Sequence, residues 1–435
     1  MFLFNKTALS AFGLLLVLTL TACGGGGSGG GSDIPPGGTN YPVGITLMSL
    51  NSNGAVGDGI SLGSSVSADG RYVAFESEST NLVAGDTNTT RDVFVRDRTS
   101  GETTLVSVAL DGVTLGNGFS SNPSISADGR YVAFESLANN LVVGNLASTE
   151  RIFVHDRTTR ATTLVSIASN TNPANGSSVE PSISADGRYV AFESVATNLG
   201  LGSANGTWDI FVHDRTTGET TSVSIHTDNT LSNNFAISAS ISADGRYVAF
   251  ASFANNLVVG DVTLFTDVFV RDRIDGTTTL VSVNSAGAHG IATSTSPSIS
   301  ADGRYVAFES FDGNFVAGGE IDGAWDIFLR DRTAGTTTLA TSRAGPNSRF
   351  ASISADGRYV AFNVAGFGAN VYDRTTDDST CVWVVAGTTC GSVTIPGDRP
   401  AISADGKHVV FHATATDFVP GITTAQQHVY AVTLP

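Results

Sequence analysis

Lysine is almost missing from this chain: Lys6 and Lys407 are the only two among 435 residues. Arginine supplies nearly all of the 23 basic side chains, against 40 acidic ones, and the formal net charge is −17. Such a surface repels phosphate backbones and anionic headgroups, which argues against nucleic acid and favours cations or basic partners. Cysteine is scarce too, with Cys23, Cys381 and Cys390 alone. No Cys or His set surrounds them, so a zinc site is not expected there. Convincing helical periodicity is lacking throughout, which argues against helical bundles and α/β folds.

One apolar run stands out, at the N-terminus. Lys6 supplies a positive start and Ala8–Leu20 an apolar stretch, right for a signal peptide and too short to span a bilayer. It ends in Leu20-Thr21-Ala22-Cys23, which resembles a bacterial lipobox. The resemblance implies that residues 1–22 are removed and that Cys23 is lipidated. The competing reading is an ordinary signal peptide with an incidental Cys. Residues 23–41 are Gly/Ser-rich and read as a flexible tether, with a reach of about 25 Å. A membrane contact is thus expected only through the N-terminal lipid. In an oxidising compartment Cys381 and Cys390 read as a disulfide, with two buried thiols as the alternative.

What the chain has in abundance is one phrase, Ser-Ala-Asp-Gly-Arg-Tyr-Val-Ala-Phe. Its Asp recurs at Asp69, Asp128, Asp186, Asp244, Asp302, Asp356 and Asp405, at gaps of 59, 58, 58, 58, 54 and 49 residues. A fixed period of this size marks a repeat architecture of about four short strands per unit. The fold class is therefore all-β: residues 42–435 form a seven-bladed β-propeller of four-stranded antiparallel blades. In blade one the strands are expected at 64–67, 72–77, 92–96 and 103–108, with a tight Asp69-Gly70 turn between the first two. The seventh repeat supplies three strands and stops. Gly44–Gly54 resembles Thr277–Gly287, a fourth strand with its exit loop. Residues 45–50 are therefore expected to complete the last blade and close the ring, which removes both sheet edges.

The repeated phrase resembles the TolB-type, WD40-like (PD40) propeller repeat of bacterial envelope proteins. The resemblance covers residues 42–435 and implies a fold rather than an activity. TolB carries an α/β domain before its propeller, where this chain has the Gly tether. Related propellers cap serine peptidases, but no hydrolase domain accompanies these repeats.

Connections from strand one to two and three to four are tight turns. Those from two to three and between blades are long and emerge together, so function is sought on that long-loop face and at the channel mouth. In blade one Glu76, Asp86, Asn88 and Asp92 offer oxygen ligands in the spirit of a calcium loop; blade five has Glu309, Glu320, Asp322 and Asp326. Calcium is the cofactor such ligands would suit. Blade two has Glu135 and Arg151, read as a salt bridge, and blade seven has His412 and His428. The alternative is a polar pair that caps each blade. His408, His412 and His428 could bring three imidazoles together, and Trp208 and Trp325 could stack on sugars. The Asp-Arg pairs after the third strand read as structural ion pairs, since a sixfold copy cannot mark one active site. The expectation is a lipid-anchored module of the cell envelope, outer membrane by analogy, that binds a protein or glycan. The alternative is a calcium-dependent enzyme, lactonase- or lyase-like, at the channel mouth.

Overall fold

The structure is a computed structural model that describes residues 44–434, apart from 113, 145–148, 202–205, 262, 317–322, 342–346, 383–398 and 415–425. The expected signal segment, the tether with Cys23, and Cys390, Glu320 and Asp322 lie outside the described residues. Cys381 is disulfide-bonded.

Among the described residues seven antiparallel sheets of four strands each account for nearly all the regular structure, and one short 3-10 turn, Gly313–Phe315, is added to them. Blade one consists of Ser61–Val66, Tyr72–Ser77, Asp92–Asp97 and Thr103–Leu105. The first strands of neighbouring blades contact one another, so they line the axis. Each fourth strand is shorter than the sequence suggests. The Val106 N–H still reaches the Val93 carbonyl at 2.8 Å, but Val108 then turns back on Val106 and leaves the ladder.

Cores lie between blades rather than within them. Val93, Val95 and Ala74 of blade one pack on Ile125, Val132 and Phe134 of blade two, and six more such clusters follow round the ring. Within most blades a stacked aromatic pair joins the two middle strands, as Phe75 does with Phe94 at 5.8 Å.

The repeated phrase is spent on this ring. Ser67 Oγ donates to Asp69 Oδ1 and accepts from the Tyr72 N–H, which locks the turn, while Gly70 takes φ 71°. Arg71 grips Asp97 with two bonds of 3.0 and 2.7 Å. The Tyr72 ring lies between Arg71 at 4.7 Å and Arg157 of the next blade at 4.5 Å. Arg157 also donates to the Gly129 carbonyl beside that ring. The Asp-Arg pairs are thus structural, as expected.

Two circuits of hydrogen bonds run round the axis. The Ala68 N–H donates to the Ala127 carbonyl at 3.0 Å, and Ala127, Ala185, Ala243, Ala301 and Ala355 each donate to the alanine of the next blade. Asp405 closes this circuit on Ala68 at 3.3 Å. A second circuit uses serine hydroxyls: Ser65 accepts from Ile125, and the same bond recurs from Ser124, Ser182, Ser240, Ser298 and Ser352. Blade seven has Ala401 at this position, so its joint to blade one lacks a hydroxyl.

Closure follows the expected route with a shorter strand. Ile45–Leu47 pairs with the last strand, Ile45 opposite Val432 and Leu47 opposite Tyr430, and the Met48 N–H adds a bond to Val429. Leu50 instead bridges to Val56 in the exit loop. Because Val432 adjoins the Thr433–His408 pair just past the Asp405-Gly406 turn, the chain enters the ring at the tight-turn end.

Candidate functional site at the channel mouth

The Glu-to-Asp pairing expected across the second and third strands does not form. Glu76 stands opposite Val93, and it is Ser77 that stands opposite Asp92. Successive side chains of a strand point to opposite faces, so this offset of one residue separates the two carboxylates. The same offset puts Ser136, not Glu135, opposite Arg151, and the expected salt bridge is replaced by an Arg151 bond to the Ala174 carbonyl.

Each partner belongs to a different local system. Asp92 accepts from Ser107 at 2.6 Å and from Asn88 at 3.1 Å, which occupies both its oxygens. Asp209 and Asp267 are held by Ser224 and Ser282, two residues past the fourth strand, in the same way, and Asp326 by Thr341. In blade seven His428 takes this place and meets Ser49 at 3.2 Å. Asp86 is nearly buried, its Oδ1 has no hydrogen-bond partner, and burial together with the Asp92 charge pushes its carboxyl up to about 6. Glu76 meanwhile binds Arg91 at 2.8 Å, so it does not join Asp86 and Asp92. Among the described residues no three His, Cys, Asp or Glu side chains come close enough to hold a metal ion. The three histidines are not brought together either: His408 sits in a cleft of about 800 Å³ at the closing joint, bonded to Arg98 at 3.0 Å. Trp208 is half-buried and its carbonyl caps Ala236; Trp325 lies under Arg349.

A set that sequence reading missed lies at the axis. Each fully described first strand carries a β-bulge, and one residue in it has positive φ: Gly63 (42°), Asn122 (50°), Glu180 (54°), Ser238 (59°), Ser296 (49°) and Phe350 (60°). A bulge leaves the ladder locally and frees an N–H. That N–H is taken by the glutamate of the preceding blade: Asn122 by Glu76 at 2.8 Å, Glu180 by Glu135 at 3.0 Å, Ser238 by Glu193 at 2.6 Å and Phe350 by Glu309 at 2.9 Å. The second-strand glutamates are therefore braces for the bulge. Arg399 occupies the same place in blade seven, since Arg399-Pro400-Ala401-Ile402 matches Asn122-Pro123-Ser124-Ile125. The x-Pro-Ser-Ile phrase was the available signal.

Arg399 and Glu180 belong to nearly opposite blades, and their side chains meet at 3.8 Å across the axis. Phe350 carries Arg399 at 5.2 Å and Arg349 at 5.5 Å. Arg349 also stacks on Trp325 at 4.6 Å and is anchored to buried Glu309 at 2.9 Å. Among the described residues the mouth is therefore the level of the channel where an acid, two arginines and two aromatic rings break the sevenfold repeat.

Burial pushes the Glu135 carboxyl up to about 7, and the adjacent Glu180 charge adds to this. The fold thus holds a proton there that the unfolded chain, at about 4.5, would release. Its stabilisation is full below pH 4.5 and is lost as pH rises towards 7. Burial drives His155 and His213 the other way, from 6.5 down to about 4, so their stabilisation is full above pH 6.5 and is lost as pH falls towards 4. In chemical denaturation, Glu135→Gln should remove the loss on the alkaline side. His155→Gln with His213→Gln should remove an acid-side loss on the order of 2 kcal/mol per histidine. Unchanged pH profiles would show that these groups titrate as they do in the unfolded chain.

No protein-family model matches this sequence, and no curated protein matches it. Solved structures do resemble the fold. An oligogalacturonate lyase from Vibrio parahaemolyticus superposes with a TM-score of 0.54 at 14% identity, covering 92% of this chain and 95% of that one. An oligogalacturonate lyase in complex with manganese gives 0.51 at 15%, covering 92% and 98%. TolB from Acinetobacter baumannii gives 0.39 at 14%, covering 79% of this chain and 59% of that one. At such identities the likeness is one of fold, and what the chain shares with these proteins is the β-propeller.

Proposed function

We propose that this protein is a lipid-anchored module of the bacterial envelope that binds a protein or glycan through its long-loop face. The observation that carries the reading is the contrast between the two ends. At the tight-turn end the motif arginines of blades one to six are consumed by ion pairs within the ring. At the other end the seven axial positions diverge, and Val143, Leu201, Val259 and Leu264 stand exposed on the long loops. Apolar loop tips around a polar mouth suit recognition. A tether from Cys23 would join the ring at its tight-turn end, where Ile45 pairs with Val432. This reading does not require a cation, and Glu76 and Asp92 already have protein partners.

The purified protein should bind isolated envelope fractions. Val259→Glu with Leu264→Glu should lower that binding about tenfold or more, while Arg130→Gln at the tight-turn end should leave it intact. Equal binding by both variants would sink the reading.

One observation favours a second reading, an enzyme that is lactonase- or lyase-like. Glu135 and Glu180 adjoin at the mouth, and one of them titrates near neutrality, as an acid–base pair requires. Oligogalacturonate, named for the two lyases above, is the first compound to offer. Turnover that is lost in Glu180→Gln without loss of binding would favour the enzyme.

A further inference from the structure

We propose that the channel mouth reads the carboxylate of an acidic sugar, with Arg399 as the reading group and Glu180 as an internal carboxylate that the ligand displaces. The inference rests on the long-loop face being the recognition face.

The geometry of the Arg399–Glu180 pair is the starting point. Arg71, Arg130, Arg188, Arg246, Arg304 and Arg358 hold their aspartates at 2.6–2.7 Å, each with a second bond. Arg399 meets Glu180 at 3.8 Å, and both side chains are partly exposed, 58% and 38%. A pair of that kind is worth about 0–1 kcal/mol, so a ligand loses little by separating it. The guanidinium is nonetheless held near an aromatic surface, because its Cζ lies 5.2 Å over the Phe350 ring, which Arg349 approaches as well at 5.5 Å. Two guanidinium groups fixed on one aromatic ring, with N–H groups left over, match the flat two-oxygen face of a carboxylate.

The rest of the ring selects the class of molecule. The other axial positions are Gly63, Asn122, Ser238 and Ser296, which offer an amide, hydroxyls and space but no aliphatic pocket. Such a lining suits the hydroxyls of a sugar, whose apolar face can lie on the Phe350 and Trp325 rings. The net charge of −17 opposes long polyanions at a distance. A single carboxylate that enters the mouth is favoured, and added salt should weaken its binding little or strengthen it.

Calorimetry of the purified full-length protein tests this with three probes: trigalacturonate, its methyl ester and triglutamate. Trigalacturonate should bind, and both the ester and triglutamate should bind at least about tenfold more weakly. Arg399→Met should lower trigalacturonate affinity by about tenfold or more, and Arg399→Lys by less. Glu180→Gln should raise it several-fold, since the internal competitor is gone. Glu180→Gln also guards against a misfolded Arg399 variant, because a gain in affinity needs a folded protein. The proposal is overturned by equal binding of the ester, by equal binding of triglutamate, by an unaffected Arg399→Met, or by no binding of trigalacturonate. If the sugar fails while Val259→Glu with Leu264→Glu still loses envelope binding, only this inference falls; if both fail, the long-loop reading falls with it.

Discussion

A chain lacking residues 42–51 is expected to lose most of its cooperative stability. The closing strand buries Leu47 and Met48, which are 6% and 4% exposed, against the last blade and the core shared with blade one. Burial of two such side chains contributes about 1.5–3 kcal/mol each, and the ladder bonds of Ile45–Leu47 and Met48 about 1 kcal/mol apiece. The sum is on the order of 7 kcal/mol, comparable with the entire stability of an ordinary domain. Tyr430 and Val432, now wholly buried, would come to lie on a free sheet edge. Urea unfolding followed by circular dichroism should show a greatly lowered midpoint or no folded baseline. Leu47→Asp, which keeps the backbone bonds, should fall between the truncation and the intact protein. An unchanged midpoint in the truncation would mean that the ring closes without this strand.

Gly129→Ala is expected to be among the most damaging single methyl groups that could be added to the repeat. Gly129 has φ 72°, where a side chain costs about 1–2 kcal/mol. Its new Cβ would lie 2.1 Å from Cδ2 of Tyr72. Tyr72 cannot easily yield, because Arg71 and Arg157 cover its two faces. Displacing the ring also weakens both cation–π contacts, at about 0.5–1 kcal/mol each. The total is about 2–4 kcal/mol. A double-mutant cycle with Tyr72→Ala locates the cause: once the ring is gone the clash goes too, so the two losses should fail to add by about 1 kcal/mol or more. Additive losses would show that the turn conformation alone matters.

The architecture was legible because its determinants are local and repeated. Asp-Gly sets the hairpin, Tyr-Val-Ala-Phe sets the second strand, and the likeness of Gly44–Gly54 to Thr277–Gly287 sets the closure. Strand ends were less legible. Val106 and Val108 look like strand residues, yet the chain turns there as the exit loop begins and Ser107 is drawn to Asp92. The candidate site was misplaced for a reason of register. Glu76 and Asp92 look paired when the strands are written side by side, and one residue of offset sends them to opposite faces. The axial set was hidden for the opposite reason. Its residues differ in nearly every blade, so a search for repetition passes over Glu180, Phe350 and Arg399, and only the fold brings them to one level.

The missing hydroxyl at Ala401 gives the ring a preferred place to come apart. Six joints carry both an alanine bond and a serine bond between first strands; the joint from blade seven to blade one keeps only the first. That joint also depends on a strand donated from the far end of the chain, through Ile45–Leu47. Transient opening there exposes a three-stranded blade that accepts any copy of that strand, including one from a neighbouring molecule. When many copies are crowded together, the same feature that seals one ring lets two rings exchange their closing strands and become a domain-swapped pair.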